Sequence, residues 1–195
     1  YLIRTSISSK TKILFINIMN MVFSSLFDII SYSEKFDVKD KDLIKNNGVV
    51  FTTKNICDSI INKLNPKITD TICEPSVGKG IFVFSLLEHF RKDNNLTQLI
   101  NFVENNLYCY DINISFISEL KEMLQAYFII LGHNEELNLS NIKVGDFLKD
   151  DGTYDIIIGN PPYIRIQNLD KEYLSQIKFE LKSLQLGNVD MYYAF

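Results

Sequence analysis

The stretch Tyr154-Asp155-Ile156-Ile157-Ile158-Gly159-Asn160-Pro161-Pro162-Tyr163 decides the fold. Ile156 to Ile158 form a continuous apolar run, which predicts a buried strand rather than a half-exposed one. Gly159 stops the run, and Pro161 and Pro162 bar both ladder pairing and helix entry. Pro161 also holds Asn160 extended, because the residue before a proline is kept out of the helical region. The result is a strand ending in a stiff turn that carries one amide side chain and one aromatic ring. In an open α/β sheet, ligands bind just beyond the carboxyl ends of the strands. Asn160 and Tyr163 therefore stand where chemistry is expected. The plain alternative for an isolated tetrad of this kind is a proline-rich surface turn.

Working back from this stretch, three more strand ends carry the same signature. Ile142-Lys143-Val144-Gly145-Asp146-Phe147-Leu148 predicts a short strand with a terminal carboxylate. Asp146 suits either an acceptor for an adenine amino group or a cap for the next turn. Leu107-Tyr108-Cys109-Tyr110-Asp111 predicts another strand, again ending in a carboxylate. An acidic residue at a second strand end commonly bonds a ribose diol, and here it lies roughly thirty residues past the glycine loop where about twenty is usual. The polar, Asn-rich stretch from Arg91 to Asn106 accounts for the difference and reads as a surface insertion holding a short helix. Ile114, Ile117, Leu120, Leu124 and Ile130 then recur as a helix across 112–131, which Gly132 ends.

The first strand, Thr71-Ile72-Cys73, leads into Glu74-Pro75-Ser76-Val77-Gly78-Lys79-Gly80 and an apolar helix from Ile81. Gly78 and Gly80 let the backbone pass close to a ligand, and the helix start offers free amide donors. Ile81 follows Gly80, so this is not a GK[ST] phosphate loop. Glu74 at the strand end suits a ligand with a sulfonium or amino cation. Upstream, Ile56, Ile60, Ile61 and Leu64 predict a helix capped by Thr52 or Thr53 and closed by Pro66. Strand, helix, strand, helix, strand, strand in this order argues a parallel sheet in an α/β fold.

Composition narrows the function classes. A chain of 195 residues with 46% hydrophobic content can build one sizeable core. Its net charge of -4 gives bulk electrostatics no part in nucleic-acid binding, so any grip on DNA must be local. Cys57, Cys73 and Cys109 stand singly without metal spacing, which predicts core thiols, no metal site and a reducing, cytoplasmic compartment. His89 and His133 lack partners at motif spacing. Asn17, Asn20, Ser24, Ser25 and Asp28 interrupt the apolar window Ile13 to Ile30 and argue against a membrane span. That window reads as a helix within an N-terminal helical extension, residues 1–47.

The signals fall in one order: Phe51-Thr52-Thr53, Glu74 to Gly80, Asp111, Asp146, Asn160-Pro161-Pro162-Tyr163, and Gly187-Asn188-Val189-Asp190-Met191-Tyr192. This order resembles the DNA adenine-N6 methyltransferases of restriction-modification systems over roughly Val49 to Phe195. Thr53 stands where that family usually has proline. The resemblance implies a Rossmann-like sheet dependent on S-adenosylmethionine, ordered 3-2-1-4-5-7-6, of which this chain carries the first four parallel strands. It implies a catalytic domain over 48–195 that stops before the last strands and the target-recognition domain. A further segment, a partner subunit or a second copy is then expected to complete the sheet and read DNA.

For the site, the resemblance implies cofactor contacts from Thr52, Glu74, Pro75, Gly78, Gly80, Asp111, Ile112, Asp146, Phe147 and Asn160. Catalysis is expected from Asn160 and Pro161, with Tyr163 stacking on a flipped adenine of double-stranded DNA. Two other readings stay open. Protein glutamine-N5 methyltransferases share the Asn-Pro-Pro-Tyr turn, and a cofactor-binding fragment without activity of its own has the same cofactor motifs.

Overall fold

The computed structural model describes residues 52–161. The expected N-terminal extension, Phe51, Pro162, Tyr163 and the segment Gly187 to Tyr192 lie outside the described residues. Helix α1 spans Lys54–Leu64, strand β1 Ile72–Glu74, helix α2 Ile81–Phe90 and helix α3 Leu96–Asn101. A π-helical turn, Phe102–Asn106, leads into β2, Leu107–Asp111, followed by α4, Ile114–Ile130. Strand β3 covers Ile142–Val144, a 3-10 turn covers Phe147–Lys149, and β4 is Ile156–Ile157.

All four strands are parallel, in the order β3-β2-β1-β4. Ile72 pairs with Leu107 and Ile156, and Cys109 pairs with Ile142. Paired residues share a sheet face, so one face carries Ile72, Glu74, Leu107, Cys109 and Asp111, the other Cys73, Tyr108, Tyr110 and Ile157. Four strand carboxyl ends thus meet along one edge. The chain steps from β1 to β2 to β3 in one direction and returns to β4 on the far side of β1. Right-handed crossovers then require the return segment to run over the opposite face from α2 and α4. It does so. The ring of Tyr154 lies 5.1 Å from that of Tyr108, and Phe147 meets Tyr110 edge-on at 5.7 Å.

Helix α2 is apolar around most of its circumference and buries Phe82, Val83, Phe84, Leu86, Leu87 and Phe90. Such a helix belongs between layers rather than at a surface. It packs against α1 on one side, and Phe84 reaches Tyr127 of α4 on the other. Tyr127 donates to Glu88 at 2.9 Å, which satisfies its buried hydroxyl. Helix α4 ends as expected at Gly132, with φ of +100°. There the His133 amide bonds the Phe128 carbonyl and the Gly132 amide bonds that of Ile129, a Schellman closure.

Four expectations need correction. The stretch Arg91 to Asn106 is not a plain surface insertion, because it sends Leu99, Phe102 and Val103 into the core. Its helix is set by an Asn95–Gln98 capping box, and Phe102, at the start of the π turn, meets Phe90 edge-on at 4.9 Å. Thr53 does occupy the N-cap of α1, yet its side chain makes no cap bond; its carbonyl accepts from Ile56 and Cys57. Asn65, in the left-handed region, terminates α1 before Pro66 is reached, and the buried stripe is Cys57 and Ile61, with Ile56, Ile60 and Leu64 exposed. Finally, the Ile156 to Ile158 run is not buried throughout: Ile158 is, while Ile157 is 53% exposed. Its side chain stands on the face opposite α2 and α4.

Candidate cofactor and base-binding site

The site is assembled at the carboxyl ends of β1, β2 and β4. Glu74 closes β1 and is only 2% exposed. Its Oε2 finds no hydrogen-bond partner among the described residues. Burial pushes its carboxyl well above the ordinary range, and the negative charge of Asp111 adds to the effect. A carboxyl in that position favours its neutral form until a cation arrives beside it.

After Glu74 the chain turns through Gly78 and Gly80, both in the left-handed region at φ of +50° and +74°. Gly80 is also held by space, since a Cβ there would lie 2.6 Å from Leu120 Cδ1. The loop is tied to β2 by its amides. Val77 N–H bonds the Tyr110 carbonyl at 2.9 Å, and Gly78 N–H bonds Asp111 Oδ2 at 2.9 Å. Asp111 Oδ1 accepts from the Asn113 amide at 2.8 Å. Burial raises the Asp111 carboxyl above its ordinary value, and these two amides offset only part of that rise. Each carboxylate oxygen offers two lone pairs, so Asp111 retains capacity to accept from a diol while it braces the loop. Ile112 follows it at the strand end, 76% exposed.

The turn after β4 comes directly against this loop. Ile158 N–H bonds the Cys73 carbonyl at 2.9 Å, which carries the turn alongside Glu74. A Cβ on Gly159 would lie 3.2 Å from Pro75 Cδ and 3.7 Å from Glu74 Cγ. Ser76 Oγ donates to the Asn160 carbonyl oxygen at 3.2 Å. Gly159 thus has a spatial reason to be glycine, and Glu74, Pro75, Ser76 and Asn160 form one contiguous group. Register is locked below them by Asp155, whose carboxylate accepts both the amide and the hydroxyl of Thr71 at 2.8 Å.

The remaining expected residues fall as follows. Asp146 Oδ1 accepts from the Leu148 amide at 3.1 Å and so caps the 3-10 turn. Phe147 joins the aromatic group on the opposite face, beside Tyr110 and Tyr154. That group is organised by Asp150, which accepts from Tyr110 at 2.8 Å and from Tyr154 at 2.7 Å. Thr52 directly precedes the Thr53 N-cap of α1, and α1 buries Cys57 and Ile61. Tyr163 lies outside the described residues.

Sequence reasoning passed over Ser76 and Asp150. Ser76 could have been noticed as a hydroxyl inside a loop otherwise built for backbone approach, whereas Asp150 gives no local signal.

The cysteines behave as expected of core thiols. All three are buried and free; Cys57 and Cys73 are pushed up to about 12, chiefly by burial, and Cys109 is raised as well. None is a ready nucleophile. Among the described residues no group of side chains could hold a metal ion, and no helix is long and apolar enough to cross a membrane. The donor set instead fits an organic ligand with a cationic group near Glu74 and hydroxyls near Asp111. An orphaned buried carboxyl oxygen and a loop left open by glycine are the marks of that fit.

Comparison with known proteins places the fold. The type ISP restriction-modification enzyme LlaBIII, solved bound to DNA, is similar at a TM-score of 0.59 and 17% identity over 87% of this chain. DrdV, solved as a DNA complex, is similar at 0.55 and 20% identity over 76% of the chain. The M protein of the type I enzyme EcoKI is similar at 0.45 and 16% identity over 63%. The chain spans 15%, 18% and 27% of the lengths of these three proteins. No curated protein matches the sequence significantly. The sheet is Rossmann-like, with the β3-β2-β1-β4 order expected for its first four strands. The model of the Eco57I restriction-modification methylases matches residues 43–195, which takes in every described element from α1 to β4, and the chain belongs to that family.

Proposed function

We propose that this chain carries the cofactor-binding and catalytic part of an enzyme that transfers a methyl group from S-adenosylmethionine to the N6 amine of adenine in DNA. The observation that carries the reading is the contact between the Asn160 turn and the Glu74 to Gly80 loop, through Ser76 and Gly159. It brings the two acceptors for a target amine against the loop expected to hold the methyl donor. The donor, when bound, supplies an electrophilic methyl on a sulfonium. Glu74 offers a carboxylate to the cation, the Gly78–Gly80 backbone admits close approach, and Asp111 accepts from the ribose hydroxyls.

An exocyclic adenine amine is a weak nucleophile because its lone pair is delocalised into the ring. Asn160 Oδ1 and the Pro161 carbonyl accept its two hydrogens, which helps shift the nitrogen toward tetrahedral geometry and aims the lone pair. Positioning and fixed dipoles supply most of the acceleration. No strong general base is needed before attack, in keeping with the absence of a histidine from the group around Asn160 among the described residues. Tyr163 stacks on the extruded base and repays part of the few kcal/mol lost on unstacking. Residues 48–195 form the catalytic region in this reading and 1–47 a helical extension. Sequence-specific reading of DNA, and the strands beyond β4, come from further polypeptide, a partner subunit or a second copy.

The test is binding of labelled S-adenosylmethionine and methyl transfer to unmethylated double-stranded DNA, for this chain and for Asn160→Ala. Loss of one oriented acceptor is expected to slow transfer by roughly a hundredfold or more, a larger loss than any in cofactor binding. Transfer to a protein glutamine and none to DNA would replace the adenine reading. Cofactor binding without any transfer would identify a fragment that needs completion.

A further inference from the structure

We infer that Ser76 is a positioning residue that couples occupancy of the glycine loop to the geometry of the Asn160–Pro161 turn. The inference rests on the proposed function, since it takes Asn160 and Pro161 as the groups that meet the target amine. Strand pairing delivers the turn only as far as Ile158, whose amide bonds the Cys73 carbonyl. The tie then continues through two neighbouring contacts, Gly159 against Pro75 and the Ser76 hydroxyl on the Asn160 carbonyl at 3.2 Å.

That carbonyl is a sensitive place to hold. The Pro161 ring fixes its own φ, and the same ring keeps Asn160 extended. Within the extended region that remains, ψ of Asn160 orients the carbonyl Ser76 holds. The same torsion, together with ψ of Pro161, governs the angle between the Asn160 side chain and the Pro161 carbonyl, the two acceptors a target amine has to meet together. At its other end Ser76 belongs to the loop that Val77 and Gly78 anchor to Tyr110 and Asp111 by amide bonds. A ligand that stiffens this loop therefore stiffens the serine, and through it the turn. Threonine can make the same hydroxyl bond, whereas alanine removes it and leaves the Gly159 contact in place.

Amide hydrogen exchange on the full chain, with and without S-adenosylhomocysteine, tests this. In the wild type, ligand should slow exchange both in the loop, 76–80, and at Ile157 to Asn160. In Ser76→Ala the slowing persists in the loop and falls about fivefold at the turn, the factor for one net hydrogen bond of about 1 kcal/mol. Ser76→Thr restores it. Where transfer is measurable, Ser76→Ala lowers kcat with the cofactor KM unchanged, a split that general loosening of the fold would not give. Full slowing at the turn in Ser76→Ala, or slowing confined to the loop in the wild type, would overturn the inference while leaving the cofactor site intact. No ligand-dependent slowing anywhere in the wild type would instead remove the proposed function, and this coupling with it.

Discussion

At the scale of single residues, Glu74 is the most exacting side chain in the site. A carboxyl at 2% exposure with an unpartnered oxygen favours its protonated form. Its folded-state value lies well above the ordinary 4.5, by burial first and Asp111 second. Because the folded value is raised, the stability Glu74 contributes is fully present below 4.5 and is lost as pH rises through the folded value. Glu74→Gln keeps a neutral group of the same shape at every pH. The variant should gain stability relative to the wild type as pH rises above the ordinary carboxylate range, measured as the urea midpoint across a pH series. A constant difference between the two proteins at all pH values would show that Glu74 does not titrate in this way. Asp155 works in the opposite sense: its bonds from Thr71 hold its carboxyl below the usual range, so its contribution is present above that range and lost as pH falls.

At the scale of elements, the loop and α2 act as a unit because Gly80 starts the helix in the left-handed region. Two separate demands meet there, the positive φ and the proximity of Leu120. An alanine has to accept a backbone conformation costing about 1–2 kcal/mol and also displace the Leu120 side chain. Gly80→Ala should therefore lower stability by at least that amount, read from the shift in denaturation midpoint at unchanged slope, and weaken cofactor binding through the displaced loop. A neutral effect on both would mean that the loop relaxes freely. Helix α3 and its π turn show the reverse case, an element whose role is hidden by polar composition. Its asparagines cap and face outward, while Leu99, Phe102 and Val103 reach the core at the i, i+3, i+4 spacing of one helix face, a stripe too short to stand out in so polar a stretch.

At the scale of the whole molecule, β4 is the consequential strand, since it carries the Asn160 turn and pairs only with β1 among the described residues. Ile156 and Ile158 direct their amides to β1, so the Ile157 amide points the other way. If further strands complete the sheet, as proposed, that amide is the reporter. It should exchange quickly in this chain and become protected when the completing polypeptide is supplied, with Ile156 and Ile158 protected in both. Equal protection of all three in the chain alone would show that the far side of β4 is already closed. The exposed Ile157 side chain is the matching feature on the sheet face, an apolar group of the kind that completed sheets bury.

Much of this architecture is local information. The strand ends at Glu74, Asp111 and Gly159, the helix across 112–131 and the parallel arrangement follow from apolar runs, helical spacing and breakers. These depend on neighbours a few residues away, and so a sequence displays them. The sheet order followed from the family resemblance and agrees with the pairing of the strands. What folding alone decides depends on groups far apart in the chain. Ser76 meets Asn160 across 84 positions, Thr71 holds Asp155 across the same separation, and Asp150 gathers Tyr110 and Tyr154 from different elements. Burial is likewise collective: Ile156, Ile157 and Ile158 look alike in sequence, yet the sheet puts neighbouring side chains on opposite faces, and α2 and α4 pack on only one of them. The residue types of the candidate site were written in the chain, whereas their contact with one another is a product of the parallel sheet that aligns its carboxyl ends.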